Sequence, residues 1–437
     1  VTSPQIAPPS VLDQAPFGRF QMSIVLLCAL VAMLDGFDTQ SIAYVAPRMT
    51  EEWGLHAAAF GPIFGAGLLG LAVGAFVFSP LADRFGRKGV LLLCVAIFGV
   101  FALLTARVTG LNDLLLLRFL TGLGLGGAMP NIIAITSEYA PSRIKATLVT
   151  VMFCGFPLGS TLGGLAAAPL MASHGWQGVF VAGGVMPLVL LPVLALFVPE
   201  SARFLAMRPG REGRLTAILR RVDPATSTDS FIAGVRAETT EKPRAFPVLD
   251  LFAQGRARQT LLVWLAFFMN LLVMYFLVNW LPSLLKDQGQ PLKIAILSTA
   301  LLNLGGVVGG IVLGRLIDRG DPYLVLGATY LASALFVGGI ALAGSHVVLL
   351  LAAATACGFG VSGAQIGLNA VTAAAYPTAM RSTGIGWALG VGRVGSILGP
   401  VIGGMMLGMG WSPQALLRFA VIPALISAGA VLALRRR

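Results

Sequence analysis

Residues 58–107 read AAFGPIFGAGLLGLAVGAFVFSPL, then ADRFGR, then KGVLLLCVAIFGVFALLTAR. Two long apolar runs flank a short loop, and Arg84, Arg87 and Lys88 cluster at that loop. A helix rises 1.5 Å per residue, so about 20 apolar residues cross the roughly 30 Å hydrocarbon core of a bilayer. Both runs meet that length. The stretch predicts two membrane-spanning helices joined by a tight basic turn.

The same pattern recurs outward in both directions. Spans are expected at 22–46, 58–81, 88–107, 112–138, 147–172 and 177–198. A polar stretch follows at 200–258, and six more spans are expected at 259–283, 292–314, 322–343, 347–372, 383–408 and 413–434. The expected organisation is a cytoplasmic tail (1–21), a six-helix bundle (22–199), a cytoplasmic central loop (200–258), a second six-helix bundle (259–434) and a basic tail (435–437). The fold class is therefore all-α and polytopic, with twelve transmembrane helices in two halves. The composition agrees, being 57% hydrophobic and 11% charged, whereas a soluble chain carries about 25% charged residues.

The net charge of +12 does not mark a nucleic-acid surface, because the basic residues are scattered through short loops between apolar runs. Arg19, Lys88, Lys145, Arg315 and Arg435 fall on one side with eleven more in the central loop, while the other side holds only Arg48, Arg107, Lys286 and Lys293. By the excess of Lys and Arg in cytoplasmic loops, both termini are expected in the cytoplasm. Trp53, Trp176, Trp280 and Trp411 land at the opposite ends, as an interfacial aromatic belt would. Residues 1–21 lack a basic leader and the first run holds two aspartates, so that run is expected to be retained as a span. Cys28, Cys94, Cys154 and Cys357 sit far apart inside apolar runs, without metal or disulfide spacing.

An internal repeat divides the chain. At an offset of 236, Gly122, Gly124, Gly127 and Ala128 meet Gly358, Gly360, Gly363 and Ala364; Gly159, Ser160 and Gly163 meet Gly395, Ser396 and Gly399; Pro141 meets Pro377. At 235, Asp83-Arg84 meets Asp318-Arg319. Two parallel six-helix halves with a site between them is a transporter design.

The loop Ser79-Pro-Leu-Ala-Asp83-Arg84-Phe-Gly86-Arg87-Lys88 resembles the signature loop of the major facilitator superfamily, with serine in place of its first glycine. Its second copy, Gly314-Arg-Leu-Ile-Asp318-Arg319, is truncated after the arginine. Arg118-Phe-Leu-Thr-Gly122-Leu-Gly124 and Pro199-Glu200-Ser201-Ala-Arg203 also match superfamily elements, so a major facilitator fold is implied. Asp83, Arg84, Arg87, Arg143, Asp318, Arg319 and Arg381 are expected to latch and release the inner helix ends, with Glu138 pairing there with Arg143 and Lys145. A narrower resemblance lies in Leu34-Asp35-Gly36-Phe37-Asp38, Met152-Phe-Cys-Gly-Phe-Pro-Leu-Gly159, Asn279-Trp-Leu-Pro282, Arg381 and Gly392-Arg393-Val-Gly395-Ser396. These are similar to the aromatic acid:proton symporter family. That resemblance implies import of hydroxybenzoate, protocatechuate or benzoate type acids across a bacterial inner membrane, powered by the proton gradient and without a cofactor. A carrier of another organic anion, such as muconate or a phenylpropionate, or an exporter, stands as the alternative.

Ionisable residues inside spans are expensive and point to function. Asp35 and Asp38 are three residues apart and share a helix face. Two carboxylates so close in a low-dielectric site do not both ionise easily, which suits proton coupling through the cluster of Asp35, Asp38 and Arg118, with both aspartates also at the substrate; a static Asp38–Arg118 ion pair, at similar depth, is the other reading. Arg393 replaces Pro157 of the first half. Its planar fork matches a carboxylate, so it either anchors the substrate or pairs with Asp35 or Asp38. Phe37, Phe153, Phe156, Tyr275 and Trp387 are candidate ring walls. Asn270, Asn303, Gln365 and Asn369 are candidate partners for ring hydroxyls. Arg418 is expected to snorkel. His56, His174 and His346 fall in or near outer loops, and no nucleophile, phosphate or metal string stands out, which argues against an enzyme. A channel and a non-transporting sensor fit the two-half repeat less well than a carrier. The expected partners are a small aromatic carboxylate, a proton and the bilayer, with the chain acting as a monomer.

Overall fold

Every long apolar run is a helix in the computed structural model, which describes residues 17–223, 227–239, 248–253, 255–344, 346–376 and 380–435. No strand occurs among the described residues. Most of the N-terminal tail, Pro377, Arg436 and Arg437 lie outside them, as does the side chain of Arg381. The first four spans are α1 (Arg19–Trp53), α2 (Phe60–Phe85), α3 (Arg87–Thr105) and α4 (Leu111–Tyr139). Next come α5 (Lys145–Phe153) and α6 (Gly155–Phe197), then three short helices, α7 (Ala202–Ala206), α8 (Glu212–Val222) and α9 (Thr228–Thr239). The second half contains α10 (Ala257–Asp287), α11 (Leu292–Arg319), α12 (Pro322–Leu342), α13 (Val347–Ala375), α14 (Arg381–Gly408), α15 (Pro413–Phe419) and α16 (Val421–Arg435).

Among the described residues, eleven helical stretches are long and apolar enough to cross a bilayer, and one of them, Thr147–Phe197, has 51 residues. That is roughly 75 Å of helix, more than twice what one crossing needs. Gly175 breaks it, with φ 67° and ψ −178°, a left-handed backbone that glycine adopts without a Cβ clash. Before the break the chain runs parallel to α1, with Gly155 against Ala29 and Gly159 against Met33. After it the chain runs antiparallel to α3: Gly184 meets Leu103, Gly99 meets Leu188, and Lys88 Nζ donates to the Ala195 carbonyl at 2.6 Å. One stretch is thus two spans, and the total is twelve.

The sequence repeat is a repeat of contacts. A Cβ on Gly70 would run into the carbonyl of Phe119, and one on Gly305 into that of Thr355. Gly74 meets Leu123 as Gly309 meets Phe359, and Gly159 meets Met33 as Gly395 meets Phe268. The offsets of 235 and 236 hold on both sides of each contact, so glycine marks where backbones approach side by side.

The core shows how the halves sit. One apolar cluster draws on both, including Tyr44, Phe64 and Trp176 with Phe276, Trp280 and Leu416. It lies at the end opposite the basic loops. Toward the basic end it divides into a cluster made by the first half and the central segment, around Cys94, Ile135 and Leu219, and a second-half cluster around Val263, Leu326 and Val371. Gly61 meets Gly404, Gln40 Nε2 donates to the Val278 carbonyl at 2.6 Å, and Lys286 pairs with Glu51 at 3.0 Å. The halves therefore close at the opposite end and part at the basic end.

Trp176 and Trp280 are fully buried, and Trp280 Nε1 donates to the Pro400 carbonyl at 2.9 Å. They fill the closed contact instead of facing headgroups, a correction to the belt expected from their depth; Trp411 remains exposed. The short helix α8 buries Leu215, Leu219 and Val222 against the first half, and Arg221 lies 4.3 Å over the Phe20 ring.

Candidate functional site

The site begins at Gly36. A Cβ there would strike the Phe156 carbonyl, and Ser160 Oγ donates to the Gly36 carbonyl at 2.9 Å. That contact clamps one side of α1 to α6. Asp35 and Asp38 lie about 60° apart around the helix, turned away from the clamp.

Asp38 is 0% exposed and Arg118, from α4, 3%. Arg118 Nη1 donates to the Asp38 carboxylate at 3.1 and 3.4 Å, and Nη2 donates to the Asp38 carbonyl at 3.2 Å. The guanidinium also stands 5.9 Å over the Phe180 ring. Asp35, 1% exposed, accepts from Thr39 Oγ1 at 3.0 Å through one carboxylate oxygen, while the other has no partner. Arg393 on α14 is half-buried. Among the described residues its guanidinium has no hydrogen bond or ion pair. A small cavity beside the Asp38–Arg118 pair is walled by Ile42, Phe64, Leu68 and Leu125, with Thr39 and Asn279 as polar points.

In the second half Asn270 Nδ2 donates to Gln365 Oε1 at 2.6 Å. Asn369 follows one turn along α13, its side-chain oxygen buried without a partner. Tyr44 donates to the Ser160 carbonyl at 2.9 Å, and Asn303 Nδ2 donates within α11 to the Thr299 carbonyl at 3.1 Å. Tyr275 is buried beside Leu68 and Leu271, where the halves touch.

The structure does not gather all the candidate rings. Phe37 packs between Gly163 and Gly183 inside the first half. Trp387 is 46% exposed and stacks on Trp264, 5.9 Å away, with Phe252 edge-on to the latter. It shares the second half's basic end, away from the paired charges. Phe153 is exposed and Phe156 half-buried, on the side of α5 and α6 next to α1.

At the basic end Glu138 is held by Arg87 at 2.6 Å and by Ser201 Oγ at 2.7 Å. The expected partners, Arg143 and Lys145, are exposed. The reason is local: α4 ends at Tyr139, Pro141 turns the chain away, and Glu138 is left facing the start of α3. Asp83 makes a long 3.8 Å contact with Arg87, and the Arg84 carbonyl accepts from Arg208 at 2.5 Å. Asp318 and Arg319 are exposed and, among the described residues, unpaired. Glu200 had no role assigned from the sequence. Its carboxylate accepts the Lys88 N–H at 3.0 Å, at the N-terminus of α3, where an anion is favoured. Thr39 was also missed, although it stands one turn from Asp35 on the same face.

Twelve spans in two matched halves, with a buried charged centre between them, define a membrane carrier of the two-repeat kind. The family model described as Major Facilitator Superfamily matches residues 28–345 and 263–437. The chain belongs to the Major Facilitator Superfamily. It is 41% identical to the 4-hydroxybenzoate transporter PcaK of Pseudomonas aeruginosa, over 96% of this chain and 94% of that one. It is also 41% identical to the gallate transporter of Pseudomonas putida, over 97% and 93%. Among solved structures, the xylose transporter XylE of E. coli in a partially occluded inward open conformation superposes with a TM-score of 0.75 at 18% identity, covering 94% of this chain and 97% of that chain. That likeness concerns the fold.

Proposed function

We propose that the chain is a proton-coupled symporter that imports aromatic carboxylates of the hydroxybenzoate, protocatechuate and benzoate type by alternating access. Relatives that carry 4-hydroxybenzoate and gallate support the cargo class. The observation that carries the mechanism is the unpartnered buried oxygen of Asp35 in the first half, together with an Arg393 guanidinium in the second half that has no ion pair of its own among the described residues. An ionised Asp35 competes with a substrate carboxylate for Arg393. A protonated Asp35 does not, so the proton and the anion bind together. Asp38 and Arg118 hold each other and keep α1 against α4. No cofactor is required; the proton gradient drives accumulation.

In this reading the chain lies in the bacterial cytoplasmic membrane with both termini in the cytoplasm, and a single copy suffices. The basic end is then the inner end, and the arrangement closed at the opposite end is open to the cytoplasm. Opening outward requires the Gly61–Gly404 and Glu51–Lys286 contacts to part while the basic ends close. The test is uptake of labelled benzoate, 4-hydroxybenzoate and protocatechuate into proteoliposomes with and without an imposed pH gradient. Gradient-stimulated uptake is expected; no uptake of any ring acid sinks the assignment.

A further inference from the structure

We infer that the Asn270–Gln365 pair is the subsite that reads a ring hydroxyl of the substrate, an inference that rests on the aromatic-acid reading above. Each half carries a side-chain bridge between its first and fourth spans near the middle of the bundle. In the first half it is Asp38–Arg118, charged and doubly bonded. In the second it is Asn270–Gln365, neutral and joined by a single 2.6 Å bond.

The contact repeat places this bridge with respect to the charged centre. Met33 and Phe268 occupy equivalent contacts, against Gly159 and Gly395. The same offset of 235 carries Asp35 onto Asn270, so the two stand at matching depth in opposite halves. The second half's anion-binding candidate lies at that level too, since Gly392, next to Arg393, packs on Phe267 and Leu271. A ligand held by Arg393 therefore lies at the depth of both Asp35 and Asn270.

The bridge is half-satisfied. Asn270 is 0% exposed, yet its Oδ1 has no hydrogen-bond partner, and neither has Nε2 of Gln365. Buried amide atoms are seldom left this way, because the unmade bond carries the desolvation penalty of the group. One orphan is an acceptor and the other a donor. A hydroxyl offers both a proton and lone pairs, so one ring O–H complements both orphans, taking the place a water molecule would otherwise fill. A bare ring satisfies neither. The orphan oxygen of Asn369, one turn further along α13, supplies an acceptor for a second hydroxyl.

The experiment is competition by unlabelled benzoate, 3-hydroxybenzoate and 4-hydroxybenzoate against uptake of labelled benzoate into proteoliposomes of the full chain. The wild type is expected to be inhibited by at least one hydroxylated acid at about tenfold lower concentration than by benzoate, the worth of about one net hydrogen bond. Asn270→Leu and Gln365→Met keep side-chain volume without the amides. Each is expected to bring that ratio close to one while moving inhibition by benzoate itself less than about twofold, where one bond is the whole difference. A wild-type ratio near one, or variants that weaken every acid equally, overturns the inference. Gln365 is only half-buried, so Gln365→Met decides the question if Asn270→Leu does not fold. Absence of any benzoate uptake by the wild type overturns the aromatic-acid reading instead, and this inference with it.

Discussion

Replacing Asp35 by asparagine should uncouple the carrier without stopping it. The centre holds two carboxylates, Asp35 and Asp38, and two guanidinium groups, Arg118 and Arg393, so with all four ionised it is neutral when empty. A substrate anion arriving alone leaves one uncompensated negative charge. Insertion scales put such a charge at about 2.5–3.5 kcal/mol in the middle of a bilayer, roughly a 70- to 400-fold penalty. A proton on Asp35 removes it. Asp35→Asn has the proton's effect built in: the anion alone then completes the balance. Among the described residues Asp35 accepts only from Thr39 and leaves its second oxygen free, so the asparagine replaces no ion pair seen there. Counterflow of labelled against unlabelled 4-hydroxybenzoate should persist in Asp35→Asn proteoliposomes. Accumulation driven by a pH difference should vanish; in the wild type each pH unit supports about tenfold, or 1.4 kcal/mol per proton. Full gradient-driven accumulation by the variant, or loss of counterflow in a folded variant, would refute the charge-balance argument.

Arg118→Met should destabilise by about 3–5 kcal/mol, because it strands the buried Asp38 carboxylate; the double variant with Asp38→Asn should recover more than 1 kcal/mol in a double-mutant cycle, and simple additivity in detergent unfolding would count against the pair as a unit. Gly404→Trp should wedge the closed end, where an added Cβ already stands 2.8 Å from Gly61 Cα, and abolish transport in a protein that still folds; wild-type turnover would show that this contact need not re-form. Arg393→Lys keeps the charge but loses the fork, so substrate affinity should fall about ten- to a hundredfold, the range for a hydrogen bond to a charged group, with thermal stability unchanged; equal affinity in competition assays would argue against bidentate anchoring.

How much of this was legible beforehand follows from what hydropathy encodes. Spans and their repeat were readable because the bilayer imposes length and because glycine marks close backbone contact. Asp38 and Arg118 stood out because charge is rare at that depth. The facing of rings was not readable. Lipid tails are as apolar as a protein interior, so a phenylalanine that packs between Gly163 and Gly183, as Phe37 does, looks like one that lines a cavity. The same indifference hid the burial of Trp176 and Trp280. Glu138 was assigned to Arg143 by nearness in sequence, but the turn at Pro141 handed it to Arg87, 51 positions away in the chain. Gly175 was one glycine among 54, and only its backbone angles single it out as the break between two spans.

The repeat also explains why the centre is built as it is. Where glycines meet backbones the halves agree, because a carrier whose halves move as units needs two equally tight bundles. Where charges stand inside the spans they disagree: Asp35 answers to Asn270, Asp38 to Val273, Arg118 to Ala354, and Pro157 to Arg393. A symmetric centre would repeat like charges around the axis and repel itself in low dielectric. The broken symmetry puts an internally paired Asp38–Arg118 in the first half, where it joins α1 to α4. It leaves Asp35 and Arg393 on opposite sides of the moving interface. On the proposed mechanism, that second pair, one residue from each half, is the one whose surroundings a rocking of the halves would change.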